Sequence, residues 1–216
     1  MHFDSLRQTM IDTQIRTWEV LDPEVLRVIQ NIKREQFVPP HLQELAFADF
    51  AIPLGNGECM WTPKMEARVL QELEIRPQDK ILEVGTGSGY FTALLANMGK
   101  FVHSIDDRDA FTRSAEGRMQ MQGISNVQFH LGDASGGWAT AAPYDAIVLT
   151  GSLPELPKEF LDQLSPGGRL VAILGQSPLS RVRRYRRGID GSLRSGDLFE
   201  TDIPALRHPA SKQFQF

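Results

Sequence analysis

Apolar and polar positions follow a helical period over the first part of the chain. Between residues 5 and 45, apolar side chains recur at intervals of three and four positions, which predicts two or three short helices. The Pro39-Pro40 pair is expected to end this pattern. Residues 51–63 contain two prolines and two glycines and are predicted to form an irregular loop. Thr62 then suits the N-cap of a helix that reaches about Leu73, with a proline in its first turn.

After residue 77, short apolar runs alternate with helical patterns, which is typical of βαβ units on a parallel sheet. Residues 91–98 and 156–164 are long enough for crossover helices. Residues 181–203 lack a helical period, and glycines at positions 188 and 191 separate two strand-like runs, which predicts a terminal antiparallel hairpin. The parallel strands are predicted at residues 80–84, 101–105, 127–131, 144–149 and 169–174.

Size and composition limit the classes of protein to which the chain can belong. We expect one catalytic core, residues 77–216, preceded by a helical extension and a loop, residues 1–76. The net charge of −4 gives no reason to expect nucleic acid as a partner. Cys59 is the only cysteine, which excludes an internal disulfide and fits a reducing compartment. The polar start and the lack of a long apolar run predict a cytoplasmic protein without a membrane span.

The most informative segment is a glycine-rich turn between a predicted strand and a predicted helix. Residues 81–90 read Ile-Leu-Glu-Val-Gly-Thr-Gly-Ser-Gly-Tyr, with glycine at every second position of the turn. Glycine lets the backbone turn tightly and approach a ligand, and the helix N-terminus offers free N–H groups. A dinucleotide site would have its third glycine where Tyr90 stands, which argues against NAD. The candidate cofactor-binding residues here are Glu83, Gly85, Thr86, Gly87, Ser88 and Gly89.

Two aspartates follow the next two predicted strands, where ligands of open α/β sheets bind. Asp106 lies 21 positions after Gly85, where a carboxylate can accept hydrogen bonds from ribose hydroxyls. Asp133 follows the third strand and is suited to an exocyclic amino group. The alternative is that the glycines only form a tight connection and the aspartates are solvated caps. The common register of Glu83, Asp106 and Asp133 favours an adenosine-bearing cofactor.

With these features in place, the sequence resembles the protein-L-isoaspartate O-methyltransferase family over about residues 5–190. Two segments are particular to that family, Arg-Glu-Gln-Phe-Val-Pro at residues 34–39 and Pro-Leu-Gly-Asn-Gly at residues 53–57. Further matches are Ala-Phe-Ala-Asp at 46–49, the glycine-rich turn, Gly132-Asp133, Tyr-Asp-Ala-Ile at 144–147 and Gln-Leu-Ser-Pro-Gly-Gly at 163–168.

The resemblance implies a Rossmann-like class I methyltransferase fold. Such a fold has a mostly parallel seven-stranded sheet with helices on both faces, a terminal antiparallel hairpin and an N-terminal helical extension. The resemblance also implies S-adenosyl-L-methionine as cofactor and the carboxylate of L-isoaspartyl residues in damaged proteins as methyl acceptor. A carboxylate is already ionised at neutral pH, so no general base is required. Residues 55–63 are expected to cover the reacting groups.

The acceptor loop is where the sequence departs from the family pattern. The family usually continues after the second glycine with Gln-Thr-Ile-Ser-Gln-Pro, whereas residues 58–63 read Glu-Cys-Met-Trp-Thr-Pro. Trp61 replaces the hydroxyl residue associated with the acceptor, and Thr62 supplies a hydroxyl there only if the loop shifts by one position. We therefore assign no catalytic residue and retain Trp61, Thr62 and Glu58 as candidates. An amine, hydroxyl or thiol acceptor would need a base such as Asp49, Glu58 or a histidine.

Other reactive side chains are interpreted as structural. Cys59 has no neighbouring histidine or lysine in the sequence and is expected to be passive. Residues 181–187 contain five arginines. This indicates either an edge strand whose charge discourages further strand pairing or an RNA-binding segment, and the edge strand is favoured. No metal site is expected, because no spacing suited to a metal relates the histidines His2, His41, His103, His130 and His208.

Three functions remain open from the sequence. The leading hypothesis is methylation of isoaspartyl carboxylates, which rests on the family resemblance. The second is a methyltransferase of the same fold with a different acceptor, either a small molecule or RNA, which Trp61 motivates. The third is a cofactor-binding or RNA-associated module without turnover, which the arginine run motivates.

Overall fold

The computed structural model describes residues 3–206, and the chain begins there with a helical extension. Helix α2 (Pro23–Asn31) starts where the Asp22 side chain accepts hydrogen bonds from the backbone N–H groups of Glu24 and Val25. The short helices are confirmed, but Pro40 begins a 3₁₀ helix instead of ending the helical pattern. Proline suits that place because a first turn leaves its N–H groups unbonded anyway.

The elements of this helical extension are α1 (Phe3–Met10), a π-helical turn (Ile11–Ile15), α2 (Pro23–Asn31) and 3₁₀ turns at Arg16–Trp18, Arg34–Gln36 and Pro40–Leu45.

The stretch predicted as an irregular loop is an antiparallel hairpin, so that prediction was wrong. Strand β1 (Ile52–Gly55) pairs with β2 (Glu58–Met60). The residues at the turn, Gly55, Asn56 and Gly57, all have positive φ values, of 89°, 55° and 81°. Glycine and asparagine are the residues that adopt this conformation at least cost, so the glycines shape a tight turn between two strands.

Helix α3 (Pro63–Leu73) begins as the sequence predicted. The Thr62 hydroxyl accepts a hydrogen bond from the backbone N–H of Met65 at 3.4 Å, and Pro63 occupies the first turn. The helix is buried along most of its length and packs against the sheet that follows.

The centre of the molecule is a seven-stranded sheet. All five predicted parallel strands are present, and the predicted terminal hairpin is formed by the last two strands. The strands are β3 (Lys80–Val84), β4 (Phe101–Asp106), β5 (Val127–Leu131), β6 (Tyr144–Leu153), β7 (Leu164–Gln176), β8 (Leu179–Arg187) and β9 (Leu193–Thr201). They lie in the order β5-β4-β3-β6-β7-β8-β9, with the first five parallel and β8 and β9 antiparallel.

Crossover helices connect the parallel strands. They are α4 (Tyr90–Met98), α5 (Asp109–Met121) and α6 (Lys158–Asp162), the last shorter than the predicted span of residues 156–164. Strand β3 has β4 on one side and β6 on the other, so the connections leave it in opposite directions. A crevice therefore opens at the carboxyl ends of these strands, which is the usual ligand site of such sheets.

Apolar side chains are buried on both faces of the sheet. Neighbouring residues of β3 point to opposite sides: Ile81 joins a cluster with α3 and α4, and Leu82 joins one that includes Phe160 of α6. The Rossmann-like class with helices on both faces is thereby confirmed. The first cluster holds residues from both sides of position 76, and the division there remains a prediction. Within residues 3–206, no helix combines the length and hydropathy that crossing a membrane requires.

The arginine run of residues 181–187 forms most of β8, which lies between β7 and β9. The prediction of an edge strand was wrong, because β8 pairs with β9 as well as with β7. The hairpin turn that produces the pairing with β9 lies after the arginine run, so the run itself does not indicate it. Most of these arginines donate hydrogen bonds to carboxylates. The pairs are Arg183 with Asp197, Arg184 with Glu72, and Arg186 with Glu74. The run therefore neutralises acidic groups of β9 and α3.

Candidate functional site

A cavity lies at the carboxyl ends of β3, β4, β5 and β6, where the topology places the crevice. The glycine-rich turn after β3 forms one wall of it, and the β1–β2 hairpin forms another. The predicted cofactor residues that line the cavity are Glu83, Gly85, Thr86, Gly87, Ser88, Asp106 and Asp133.

Gly85 needs to be glycine for two separate reasons. Its φ is 97°, a backbone conformation that side chains disfavour. A Cβ atom there would lie 2.1 Å from Oγ1 of Thr150, whose hydroxyl donates to the carbonyl oxygens of Val84 and Gly85 at 2.9 and 2.7 Å. The turn is therefore held against the end of β6.

Gly89 differs from the other members of the turn, because it is absent from the cavity lining. Its φ is 81°, and a Cβ atom would lie 2.8 Å from Cβ of Ala115 in α5. This glycine lets α4 pack closely against α5. Its placement among the cofactor residues has no support from the geometry.

Glu83 is completely buried at the end of β3. One carboxylate oxygen, Oε2, accepts hydrogen bonds from the hydroxyls of Thr92 and Ser104 at 2.5 and 2.6 Å. The other oxygen, Oε1, has no hydrogen-bond partner among the described residues, and the residue lines the cavity. Burial raises the pKa of Glu83 to about 8, against the lowering effect of the two hydroxyls. The site thus contains a buried acceptor that lacks a partner.

Asp106 ends β4 beside the glycine-rich turn. Its carboxylate accepts hydrogen bonds from the backbone N–H groups of Gly87 and Arg108 at 3.1 and 3.0 Å. Burial raises the pKa of Asp106, and these two bonds oppose that rise. The carboxylate is therefore fixed in orientation, with lone pairs remaining for a ligand.

Asp133 lies in the segment after β5, on the same side of the cavity. Its Oδ1 accepts hydrogen bonds from the backbone N–H and the hydroxyl of Ser135 at 2.9 and 2.6 Å. This local turn fixes the carboxylate at the cavity wall.

The hairpin wall contains Trp61, which is 5% exposed and lines the cavity. Its indole N–H donates to the carbonyl oxygen of Thr150 at 3.0 Å, and its ring lies 5.4 Å from that of Phe91. The buried Arg34 donates to the Trp61 carbonyl oxygen at 2.7 Å and forms an ion pair with Glu66. Trp61 is thus fixed from both its side chain and its backbone.

Comparison with known proteins identifies the family. The sequence model of the family described as Protein-L-isoaspartate(D-aspartate) O-methyltransferase matches residues 5–202. The chain belongs to this family. A protein-L-isoaspartate O-methyltransferase 1 of Geotalea uraniireducens is 38% identical over 193 residues, which cover 89% of this chain and 88% of that protein. A Caulobacter vibrioides protein-L-isoaspartate O-methyltransferase is 35% identical over 200 residues, 92% of this chain and 90% of its own.

Solved structures show the same fold. A protein-L-isoaspartate O-methyltransferase structure has a TM-score of 0.78 and 21% identity, and the match covers 95% of this chain and 66% of that one. A Plasmodium falciparum structure, described as a protein-L-isoaspartate O-methyltransferase in complex with S-adenosyl-L-homocysteine, has a TM-score of 0.77 and 17% identity. That match covers 96% of this chain and 99% of the other.

The departure from the usual family loop has a clear structural form. Trp61 occupies the cavity wall, whereas the Thr62 hydroxyl caps α3 and is absent from the cavity lining. The Thr62 hydroxyl is therefore used at the start of α3 and does not line the cavity. Cys59 lines the cavity, but burial, with a smaller contribution from Glu58, raises its pKa to about 11. A thiol in that state is a passive wall residue.

Glu58 lines the cavity and forms an ion pair with Arg108 at 3.0 Å. The same guanidinium donates to the carbonyl oxygen of Asn56 at 3.1 Å. Arg108 comes two residues after Asp106, so it joins the tip of the hairpin to the segment that follows β4.

Several cavity residues were missed from the sequence. Thr150 and Gly151 come from the end of β6, and residues 203–206 return to the cavity after the last strand. Ser152 holds this segment through backbone hydrogen bonds with Pro204 and Leu206 at 3.0 and 2.8 Å. Apart from the threonine at the end of an apolar strand, no local pattern marks these positions, because long-range pairing brings them together.

Two histidines that looked unrelated in the sequence are neighbours in the sheet. His103 Nδ1 and His130 Nε2 lie 3.1 Å apart, and burial lowers the pKa of both rings. Within residues 3–206, no group of three or more histidine, cysteine or acidic side chains is arranged to hold a metal. His2 and His208 lie outside the described residues.

Proposed function

We propose that this chain transfers a methyl group from S-adenosyl-L-methionine to the free carboxylate of L-isoaspartyl residues in damaged proteins. Family membership over residues 5–202 supports the reaction class, and the relatives named above carry the name of that activity. The observation that carries the proposal is the cavity itself, where Oε1 of Glu83, which has no hydrogen-bond partner within residues 3–206, lies beside a glycine-lined turn at the topological switch point.

The residues present suit S-adenosyl-L-methionine. The amino acid part of this cofactor carries an ammonium group. That group can donate a hydrogen bond to a buried carboxylate such as that of Glu83. Asp106 would accept from the ribose hydroxyls, and Asp133 from the exocyclic amino group of adenine. Gly85 and Gly87, with Thr86 and Ser88, would hold the backbone close to the ligand. When bound, the cofactor supplies a methyl group activated on a sulfonium sulfur.

The protein's own task is then to orient the acceptor and exclude water. An isoaspartyl carboxylate is ionised at neutral pH and needs no base. Trp61 and Phe91 form an apolar wall beside the glycine turn, and such a wall replaces hydration of the carboxylate by a fixed environment. Orientation in a closed site supplies up to about 7–11 kcal/mol in favourable cases. Glu58 is engaged by Arg108 and takes no proton in this scheme.

The partners and the location follow from the same proposal. The substrates are proteins or peptides that contain isoaspartyl residues. The arginine run requires no nucleic acid partner, because carboxylates of this chain contact most of its side chains. A single cysteine fits a reducing compartment, which supports the cytoplasm as the location.

The experiment compares a freshly purified test protein with the same protein after ageing has introduced isoaspartyl residues. Both are incubated with this enzyme and S-adenosyl-L-methionine labelled in the methyl group, and the labelled methanol that base releases from methyl esters is measured. We expect release that grows with the isoaspartyl content. Equal incorporation into fresh and aged protein, or label that resists base, would reject a carboxylate of isoaspartate as acceptor.

A second candidate function is a methyltransferase with a different acceptor, and Trp61 favours it. The indole fills space where the family places a small hydroxyl residue, and its N–H is already bonded to Thr150. Under this alternative, Trp61→Ser would restore isoaspartyl methylation to a level well above that of the unmodified chain. If the variant binds cofactor but methylates isoaspartyl peptide no faster, the alternative is withdrawn.

A further inference from the structure

A second cleft lies at the amino ends of the parallel strands, at the opposite end of the strands from the cofactor cavity. Its lining includes Arg76, which precedes β3, and Arg169, near the start of the paired part of β7. Arg186 and Arg194 come from β8 and β9. We call this the arginine cleft. Since the predicted cofactor residues lie at the carboxyl ends of the parallel strands, the two clefts are separated by the length of the strands.

Three of these arginines stand side by side. Arg169 is directly opposite Arg186 in the β7–β8 pair, and Arg186 is directly opposite Arg194 in the β8–β9 pair. Residues directly opposite in antiparallel strands point to the same face and lie about 5 Å apart. Like charges in such positions oppose folding, so the row places repelling cations together on one face.

The protein neutralises this row only in part. Arg169 is buried and satisfied by Asp79 and by the carbonyl oxygens of Leu73 and Asp145, at 2.7 and 3.0 Å for the two carbonyls. Arg186 pairs with Glu74, but its Nε is buried without a hydrogen-bond partner among the described residues.

The two outer arginines of the cleft, Arg76 and Arg194, are not neutralised by carboxylates of the described residues. Both Arg76 and Arg194 are exposed, and neither guanidinium forms an ion pair within residues 3–206. The second carboxylate of the cleft, Asp190, accepts hydrogen bonds from the backbone N–H and hydroxyl of Ser192 at 3.0 and 2.7 Å. The cleft is therefore lined by more guanidinium groups than carboxylate groups, although the whole chain has a net charge of −4.

We propose that the arginine cleft binds the phosphate group of a small anionic ligand. Guanidinium groups present a planar set of donors that matches phosphate oxygens in pairs. A phosphate group between Arg76, Arg186 and Arg194 removes the repulsion within the row and occupies donors that the protein leaves open. Glu74 stays on Arg186, and the ligand adds to that pair.

Pyrophosphate is the probe for the test, titrated by calorimetry at fixed ionic strength in a chloride buffer. Saturable binding at one site per chain is expected. Arg194→Gln and Arg76→Gln should each weaken it by about tenfold or more, as expected for loss of a charged hydrogen-bond donor. Arg194→Lys keeps the charge but loses the planar donor pair, so it should give an intermediate affinity. Arg27→Gln is the matched control, because Arg27 is a half-exposed arginine on α2 outside both clefts, and it should bind as the unmodified chain does.

Binding of S-adenosyl-L-methionine, measured on every variant, shows that each protein is folded. Arg194→Gln is expected to leave cofactor binding unchanged and to raise the thermal stability of the unliganded protein at low salt, since it relieves the repulsion with Arg186. The proposal is overturned if pyrophosphate shows no saturable binding. It is equally overturned if Arg194→Gln and Arg76→Gln both bind with unchanged affinity. Because cofactor binding is a separate readout, failure here leaves the proposed methyl transfer untouched.

Discussion

The indole N–H of Trp61 donates a hydrogen bond of 3.0 Å to the carbonyl oxygen of Thr150. Thr150 in turn donates its hydroxyl to the carbonyl oxygens of Val84 and Gly85. The hairpin wall of the cavity and the glycine-rich turn are therefore joined through one residue of β6. In this chain the tryptophan that replaces the usual hydroxyl is a fixed part of the cavity.

Replacing Trp61 by phenylalanine should lower stability while keeping the apolar wall. The change removes the N–H donor and some buried ring surface, and we expect a loss of about 1–3 kcal/mol in the free energy of unfolding. Urea denaturation measures it. Trp138→Phe is the matched control, because the Trp138 N–H is buried without a hydrogen-bond partner among the described residues. Equal losses in the two variants would show that the bond to Thr150 contributes nothing measurable.

Glu83→Gln should change the pH dependence of stability. Because burial raises the folded-state pKa of Glu83 to about 8, this group stabilises the fold fully below pH 4.5 and loses that contribution as pH rises towards 8. Glutamine has no proton to lose. The variant should therefore gain stability relative to the unmodified chain as pH rises from about 5 to 8, by up to about 1.4 kcal/mol per pH unit.

The measurement is denaturation at several pH values without cofactor. Glu116→Gln, at an exposed position of α5, is the control for the loss of one carboxylate. The same Glu83→Gln variant should bind S-adenosyl-L-methionine at least tenfold more weakly, because the neutral amide replaces a carboxylate that receives a cationic donor. A flat difference in stability between pH 5 and 8 would contradict the raised pKa.

Gly85→Ala should destabilise the chain and weaken cofactor binding. The new Cβ meets Oγ1 of Thr150 at 2.1 Å, so the turn and the end of β6 must separate. Overpacking of this kind costs about 1–3 kcal/mol beyond the backbone strain. Gly123→Ala is the control, since the φ of Gly123 is also positive, at 67°, but among the described residues the added Cβ would meet no atom within 4 Å apart from those of its chain neighbours. If both variants lose the same stability, the contact with Thr150 is not the constraint at Gly85.

Arg108→Gln should loosen the hairpin over the cavity. Arg108 contacts both Glu58 and the carbonyl oxygen of Asn56, and the residues at that turn have positive φ. Hydrogen exchange of the amides in residues 52–60 should speed up, with faster release of bound S-adenosyl-L-homocysteine. Glu58→Gln should weaken the same connection yet keep methyl transfer, because an ionised acceptor needs no base. Loss of transfer with normal cofactor binding in Glu58→Gln would assign Glu58 a chemical role.

The sequence predicted those parts of the fold that depend on local patterns. Strand β3 was located because it is mostly apolar, β5 because apolar residues alternate with polar ones along it, and α3 because Thr62 and Pro63 mark its start. The β1–β2 hairpin was missed because strands of three or four residues are too short to show alternation. Helix α5 gave little signal, since its buried residues are Thr112, Ala115 and Met119, only one of them a large apolar side chain.

The site divides in the same way. Glu83 and Asp106 could be predicted to lie at the cavity because each is at or next to the end of a strand that the sequence reveals, beside a turn with a distinctive glycine spacing. Thr150 and residues 203–206 were not, since they reach the cavity through pairing between distant segments, as in the bridge from Ser152 to Ala205. The place of β8 within the sheet was missed for the same reason. Long-range pairing decides these features, and single-sequence periodicity carries no record of it.

The central claim is methyl transfer to an isoaspartyl carboxylate, and one measurement tests it most directly. Calorimetry first verifies that the preparation binds S-adenosyl-L-methionine. The same preparation is then incubated with that cofactor and two synthetic peptides that differ only in an isoaspartyl or a normal aspartyl linkage. Mass spectrometry should detect a base-labile methyl ester on the isoaspartyl peptide alone. Cofactor binding with an unmodified isoaspartyl peptide would contradict the claim.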